Sequence, residues 1–405
     1  MDTGVCGYRR LSDPCSVARV QIKRMSIDAP QSKTRAQIMR LRGLALVTAI
    51  PFQFIWFKPE VYYFMSRVLP SFYIFFALAG YELTASICAR NQVSSLGAVV
   101  REVFGERMRR LLPALLTWLA VVNILAVLFN SSGSFGRDGV VAGDTLATLT
   151  VSYNIIKSQG INQEESDYWN VLGTYWHITF EEQYCFMCVL LLFYITSPSS
   201  RRRFFVIFTI LSAIVLRALP FFCPPSAVGY YSAFSPLRNV TPFAVGSLVY
   251  VLQGGVVWQR LNALKRFEKQ SLALFAMLGA YFYFYILPFD LNWFAMIPYW
   301  LMLFLFVMLI TLPNDLFLRS RFTKGLFGYI GSRFYFLYLG HAIVIRFVEE
   351  VAFRISGTRT PAEGLAWPVA CAYSFVAVSL LVLVSEGLHR LFSTRPSALE
   401  TLKSS

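Results

Sequence analysis

"LLPALLTWLAVVNILAVLF" occupies Leu111–Phe129 and holds no charged side chain over 19 residues. At 1.5 Å per residue such a helix can cross the ~30 Å hydrocarbon core of a bilayer, which takes roughly 17–25 residues. Arg107, Arg109 and Arg110 stand just before it, and a loop opening with Asn130 follows it. Basic residues gather on the cytoplasmic side of such crossings, which gives the stretch a direction as well as a length.

The rest of the chain repeats the pattern. Of its 405 residues 56% are hydrophobic and 16% aromatic, well above the roughly 45–50% apolar content of soluble domains. Ten segments read as spans: Leu41–Phe57, Pro70–Cys88, Leu111–Phe129, His177–Thr196, Phe204–Phe221, Val240–Val256, Ser271–Leu287, Leu291–Leu312, Gly328–Phe347 and Ala366–Ser385. The expected fold is all-α, a polytopic membrane helix bundle of about ten transmembrane helices with both termini cytoplasmic. Residues 1–38 form a basic cytoplasmic tail, 39–386 the transmembrane domain and 387–405 a short cytoplasmic tail. The first forty residues have no apolar stretch before Leu41, so no cleavable signal peptide is expected.

Lys and Arg number 37 against 22 Asp and Glu, for a net charge of +15. The excess lies in short loops between apolar runs, where it orients helices, and a nucleic-acid partner is not expected. Arg101, Arg107, Arg109 and Arg110, Arg201–Arg203, Arg260 to Lys269, Arg319 to Lys324 and Arg390 to Lys403 all fall on the inner side. The loop from Asn130 to about Trp176 is acidic and falls outside. Arg346, Arg354 and Arg359 break the rule, beside Glu349, Glu350 and Glu363.

Of seven cysteines only Cys223 faces outward, so no disulfide is expected. Cys185-x-x-Cys188 has no second ligand pair nearby, and no metal site is expected. Asn130-Ser-Ser and Asn239-Val-Thr match a glycosylation acceptor, a pattern too short to carry weight.

An ionisable group in the hydrocarbon core costs at least ~2.5–3.5 kcal/mol on insertion scales, which makes each one a functional candidate. The candidates are Arg42, Glu82, His177, Glu181, Glu182, Arg217, Arg238, Arg333 and His341. Glu181 and Glu182 begin the fourth span on the outer side, where Arg217 and Arg238 are the expected partners. His177 and Glu181 are four apart and share a helix face, so Glu181 is placed to orient the imidazole. Arg42 and Gln53 share a face of the first span about 16 Å apart, which brings Gln53 to the depth of His341. Glu82 falls in the inner half of the second span.

Six stretches, in this order, resemble the membrane acyltransferase family called acyltransferase-3. "LRGLALVTAIPFQF" (Leu41–Phe54) is similar to its first-helix motif, an arginine followed after ten residues by a histidine. "FYIFFALAGYELT" (Phe72–Thr84), "RMRRLLPALL" (Arg107–Leu116), "WHITFEEQY" (Trp176–Tyr184), "RNVTPFAVGSLV" (Arg238–Val249) and "FYFLYLGHAIVI" (Phe334–Ile345) resemble its later motifs. Gln53 stands where the family has its histidine, and glutamine is no general base near neutral pH. Ala79 replaces the usual serine of the second motif.

The resemblance implies transfer of an acyl group, most simply acetyl, from cytoplasmic acetyl-CoA or another acyl-CoA to a glycan hydroxyl at the cell envelope. It implies a bacterial inner membrane as the location, with acyl-CoA, a glycan or lipid-linked oligosaccharide and the lipid bilayer as partners. His341, His177, Glu181, Glu182 and Gln53 are the catalytic candidates; Arg42, Arg238, Gln183, Trp176 and Glu82 are the substrate-binding ones. Two alternatives remain: a family member that has lost catalysis and binds or moves a lipid-linked glycan, and a proton-coupled transporter using Glu82 and His341.

Overall fold

The computed structural model describes residues 36–47, 49–50, 71–90, 95–136, 138–158, 171–222, 236–285, 293–312, 320–358 and 365–393. Where they are described the ten apolar segments are largely helical, with turns or bends at some ends, at residues 252–255 and at Arg333. They correspond to α1 (36–47), α2 (Ser71–Arg90), α3 (Leu96–Leu128), α6 (Trp176–Tyr194), α7 (Pro198–Phe222), α8 (Pro236–Val251), α10 (Arg266–Tyr285), α11 (Trp293–Ile310), α13 (Phe334–Ser356) and α14 (Trp367–Ser393). Shorter helices join them: α4 (Asp138–Leu149), α5 (Tyr153–Ser158), α9 (Val256–Ala263) and α12 (Arg321–Ser332). Among the described residues two helices are long and apolar enough to cross a membrane, Leu96–Leu128 and Trp367–Phe392. A third follows if α8 and α9, bent by 82°, count as one span. Lipid is the solvent these surfaces fit, since exposed Ile207, Ile210, Leu128, Phe375 and Leu383 carry no polar cover.

Helix α3 shows how the sequence builds one unit. Ser95 caps its start by accepting the Ala98 amide at 3.4 Å, and Phe129 ends it by donating back to Leu125. The buried face, from Leu111 through Leu115, Trp118, Leu119 and Val122 to Ala126, recurs at helical spacing. Trp118 donates its indole N–H to the Phe336 carbonyl at 2.9 Å, tying α3 to α13.

The tightest crossing joins α2 and α8. A Cβ on Gly246 would lie 1.7 Å from the Ala77 carbonyl oxygen, and one on Gly80 2.2 Å from that of Phe243. Only glycine permits this approach, and small residues let helix backbones meet in this way within membranes. Thr84, Ser247 and Tyr184 hydrogen-bond across the seam at 2.8 and 3.0 Å, which satisfies their hydroxyls where water is absent.

Several charged and amide groups gather at one end of the bundle. Arg90, at the end of α2, pairs with Glu106 of α3 at 2.7 Å, Gln37 of α1 donates to Ile310 at the end of α11, and Arg333 at the start of α13 pairs with Glu386 of α14 at 2.8 Å. The arginines that break the charge rule near the opposite end are neutralised locally, Arg346 by Glu349 and Arg354 by Glu350, at 2.8 and 2.9 Å. Glu350 lies three residues beyond the ninth apolar segment. Desolvation opposes its charge, but Ser132, Arg354 and the Ser131 and Ser132 amides bond to it and hold the carboxyl down to about 2. It therefore stays ionised as the partner of Arg354.

Two expectations change. The stretch read as an outer loop from Asn130 to Trp176 folds partly back into the bundle. Asn123 of α3 bonds Thr145 of α4 at 2.8 Å, and Asn154 of α5 bonds Gln183 of α6 at 2.9 Å. At 12 residues α4 is too short to span, so hydropathy alone left it outside. The ninth segment is also not one helix: it breaks at Arg333, where α12 ends and α13 begins.

Candidate active site

The start of helix α6 lies inside the bundle: Tyr175 is fully buried, and Trp176 packs 5.9 Å from Phe76 of α2. Tyr175, just before it, donates its hydroxyl to the Leu339 carbonyl of α13 at 3.0 Å. Phe186 of α6 sits 6.3 Å from Phe104 of α3, so α6 descends toward the start of α3. This carries Glu181 and Glu182 to the level of Arg107.

The result is a cluster of five charges from four helices. Arg42 of α1 lies 2.9 Å from Glu82 of α2 and 3.8 Å from Glu181. Arg107 lies 2.8 Å from both Glu181 and Glu182, and its Nε donates to Glu182 at 3.1 Å. Glu182 thus receives a forked guanidinium contact, the strong form of this pair. Glu181 Oε1 faces both arginines with no aligned hydrogen bond among the described residues, and Arg42 Nε is likewise buried without an acceptor there.

This corrects the placement of the two glutamates. They were expected to begin their span on the outer side; the expected pairing with Arg217 and Arg238 falls on side chains outside the described residues, and His177 stays four residues from Glu181 on the same helix. The ion partners of the glutamates among the described residues are Arg107 and Arg42, from the side expected to be inner. The expectation assumed that every span starts at a surface, which α6 does not. Arg107 was counted as a loop charge, and charge counting cannot distinguish an orienting arginine from one turned inward. The side chains of Arg217 and Arg238, and all of Gln53, lie outside the described residues.

Beside the cluster lies an aromatic wall that carries both histidines. His177 stacks on Trp176 at 3.5 Å and on Phe76 at 5.2 Å between ring centroids. Tyr338 stands between the histidines, its ring 6.1 Å from His177 and 5.6 Å from His341. His341, buried in α13, contacts the Tyr338 carbonyl through Nδ1. A carbonyl only accepts, so this contact assigns the proton to Nδ1 and leaves the lone pair on Nε2. Tyr335, one turn from Tyr338 toward the basic end, lies within electrostatic range of Arg42, Arg107, Glu181 and Glu182. Neither tyrosine was singled out in the sequence, since tyrosine in an aromatic-rich helix carries no signal of its own.

Gln183 faces away from the charges and bonds Asn154 in both directions at 2.9 Å, with its amide also donating to the Val151 carbonyl at 2.7 Å. The four cysteines among the described residues are free: Cys88, Cys185 and Cys188 are buried and Cys371 is exposed. Asn130 of the first glycosylation-like triplet uses its amide within the loop, donating to Gly136 and accepting from Phe135 at 2.6 and 2.9 Å. No group of metal-ligating side chains occurs among the described residues.

Membrane-type helices around a buried set of arginines, carboxylates and histidines define an integral membrane protein with an internal polar site. A family model described as an acyltransferase domain matches residues 44–386, and the chain belongs to that family of membrane acyltransferases. Neither the curated proteins nor the solved structures give a match. Membership supports acyltransferase activity at a membrane and a donor of the acyl-CoA type.

Proposed function

We propose that the protein is a membrane O-acyltransferase that moves an acyl group, most simply acetyl, from cytoplasmic acyl-CoA to a hydroxyl of an envelope glycan or exopolysaccharide in a bacterial inner membrane. The observation that carries this reading is His341: its Nδ1 contact with the Tyr338 carbonyl leaves Nε2 as the base, on the wall shared with the arginine–glutamate cluster. An imidazole at this point supports a base elsewhere than at Gln53.

In this mechanism Nε2 of His341 takes the proton of the acceptor hydroxyl as its oxygen attacks the thioester carbonyl. The carbon–sulfur bond then breaks, and the proton passes to the departing CoA thiolate. Arg42, whose Nε has no acceptor among the described residues, donates to the donor's carbonyl oxygen as negative charge develops there. Glu82, Glu181 and Glu182 hold the two guanidinium groups in place, and Trp176 and His177 form the aromatic face against which the reactants rest. Arg238 is assigned to substrate binding and Gln53 to positioning a reactant without removing a proton.

The test is acyl transfer in membrane vesicles given radiolabelled acetyl-CoA, with envelope polysaccharide as acceptor. The unchanged protein is expected to label the polysaccharide, and His341→Ala to lower the rate by 10²-fold or more, within the usual range for a general base, about 10²–10⁴. Label only in Gln53→His would overturn the catalytic reading in favour of a glycan-binding role.

A further inference from the structure

Gln183 sits beside the two glutamates in sequence but on the other side of the helix. At about 100° per residue, Thr179 and Gln183 share one face of α6 while Glu181 points from the opposite one. The face away from the charges is held by one buried residue, Asn154. Its Nδ2 donates to Gln183 Oε1 at 2.9 Å, and its Oδ1 accepts from Gln183 Nε2 at 2.9 Å and from Thr179 Oγ1 at 3.3 Å. Asn154 is fully buried. An amide is the one side-chain group that can fill both sides of this pair, because it donates and accepts from the same end.

Two further observations give the contact a purpose. Helix α6 has no side-chain cap at its start, so the rotation of its first turns is held by contacts with its neighbours: the Tyr175 hydroxyl on the Leu339 carbonyl on one side and the Asn154 amide on the other. Val151, whose carbonyl accepts the second proton of the Gln183 amide at 2.7 Å, has φ of 57° and is the one non-glycine with positive φ among the described residues. A β-branched residue adopts that conformation only where its surroundings impose it. The turn between α4 and α5 is thus held in a strained form by the same amide pair.

We infer that Asn154 is a positioning residue for the site: through Gln183 and Thr179 it sets the rotation of α6 that aims Glu181 and Glu182 at Arg107 and Arg42. The inference rests on the acyltransferase reading for its kinetic consequence and on geometry alone for its structural one. Rotation of α6 by a fraction of a turn would carry Glu181 out of reach of both arginines and tilt the aromatic face of Trp176 and His177. A displacement near 1 Å at a reacting group costs on the order of 10²-fold in rate.

The experiment compares the full-length protein with Asn154→Asp and with the swap Asn154→Gln/Gln183→Asn. The first keeps the shape but cannot donate to Gln183 Oε1; the second keeps both amides and the combined side-chain length. Transfer from radiolabelled acetyl-CoA to vesicle polysaccharide should fall in kcat on the order of 10²-fold in Asn154→Asp, with KM for acetyl-CoA little changed, and recover most of that loss in the swap. Hydrogen–deuterium exchange on the same preparations should rise over 176–183 in Asn154→Asp, stay level over 334–345, and return in the swap. Unchanged exchange over 176–183 in Asn154→Asp, or a swap as impaired as the single variant, overturns the inference. Absence of transfer in the unchanged protein would instead sink the acyltransferase reading, and the exchange data would still decide the role of Asn154.

Discussion

At the residue scale, Arg107 bears more on the site than any charge the sequence put forward. Among the described residues it is the one guanidinium in contact with both Glu181 and Glu182. Removing one partner of a buried pair strands the other, at about 3–5 kcal/mol, whereas replacing both with apolar groups of similar size is often close to neutral. Arg107→Met should therefore destabilise the protein by about that amount in a detergent melt, and Arg107→Met/Glu182→Leu should recover part of the loss, with Glu181 still uncompensated. A cost below 1 kcal/mol in the single variant would mean that the pair is solvated. Much of this set was legible beforehand: Arg42, Glu82, Glu181, Glu182, His177 and His341 were all named, because a charge or imidazole in an apolar run has to be explained. The partners were not legible, since pairing depends on where α6 starts in depth, and nothing in a stretch such as "WHITFEEQY" states that depth.

At the scale of elements, the glycines of α2 and α8 set the spacing on which the seam depends. Gly246→Ala would drive a methyl group into the Ala77 carbonyl, which is backbone and cannot turn aside. The variant should lose roughly 1–3 kcal/mol of stability by overpacking. Gly105→Ala on α3, where a Cβ meets nothing within 4 Å, should be neutral or gain roughly 0.5–1 kcal/mol. Equal melting temperatures for the two variants would refute the close crossing. Long apolar helices were the most legible elements, since length and hydropathy alone specify them. The helices α4, α5, α9 and α12 were not, because a short helix that leans on a neighbour has neither the length nor the composition of a span.

At the scale of the whole molecule, the gathering of Arg90, Arg333 and Arg390 with their acidic partners at one end implies an orientation. In a background without native cysteines, Ser356→Cys beyond Glu350 should react with a membrane-impermeant maleimide in intact cells. Ser197→Cys, between α6 and α7, should react only after the membrane is opened. The reverse pattern would turn the molecule over and move the arginine–glutamate cluster to the face away from the CoA pool.

The seam between α2 and α8 has a mechanical consequence. Two helices that touch backbone to backbone, pinned by Thr84, Ser247 and Tyr184, move as a single beam, and that beam joins an early part of the chain to a late one. A pump that worked by rocking its first half against its second would have to shear this contact in every cycle. The frame is better suited to standing still while reactants come to it.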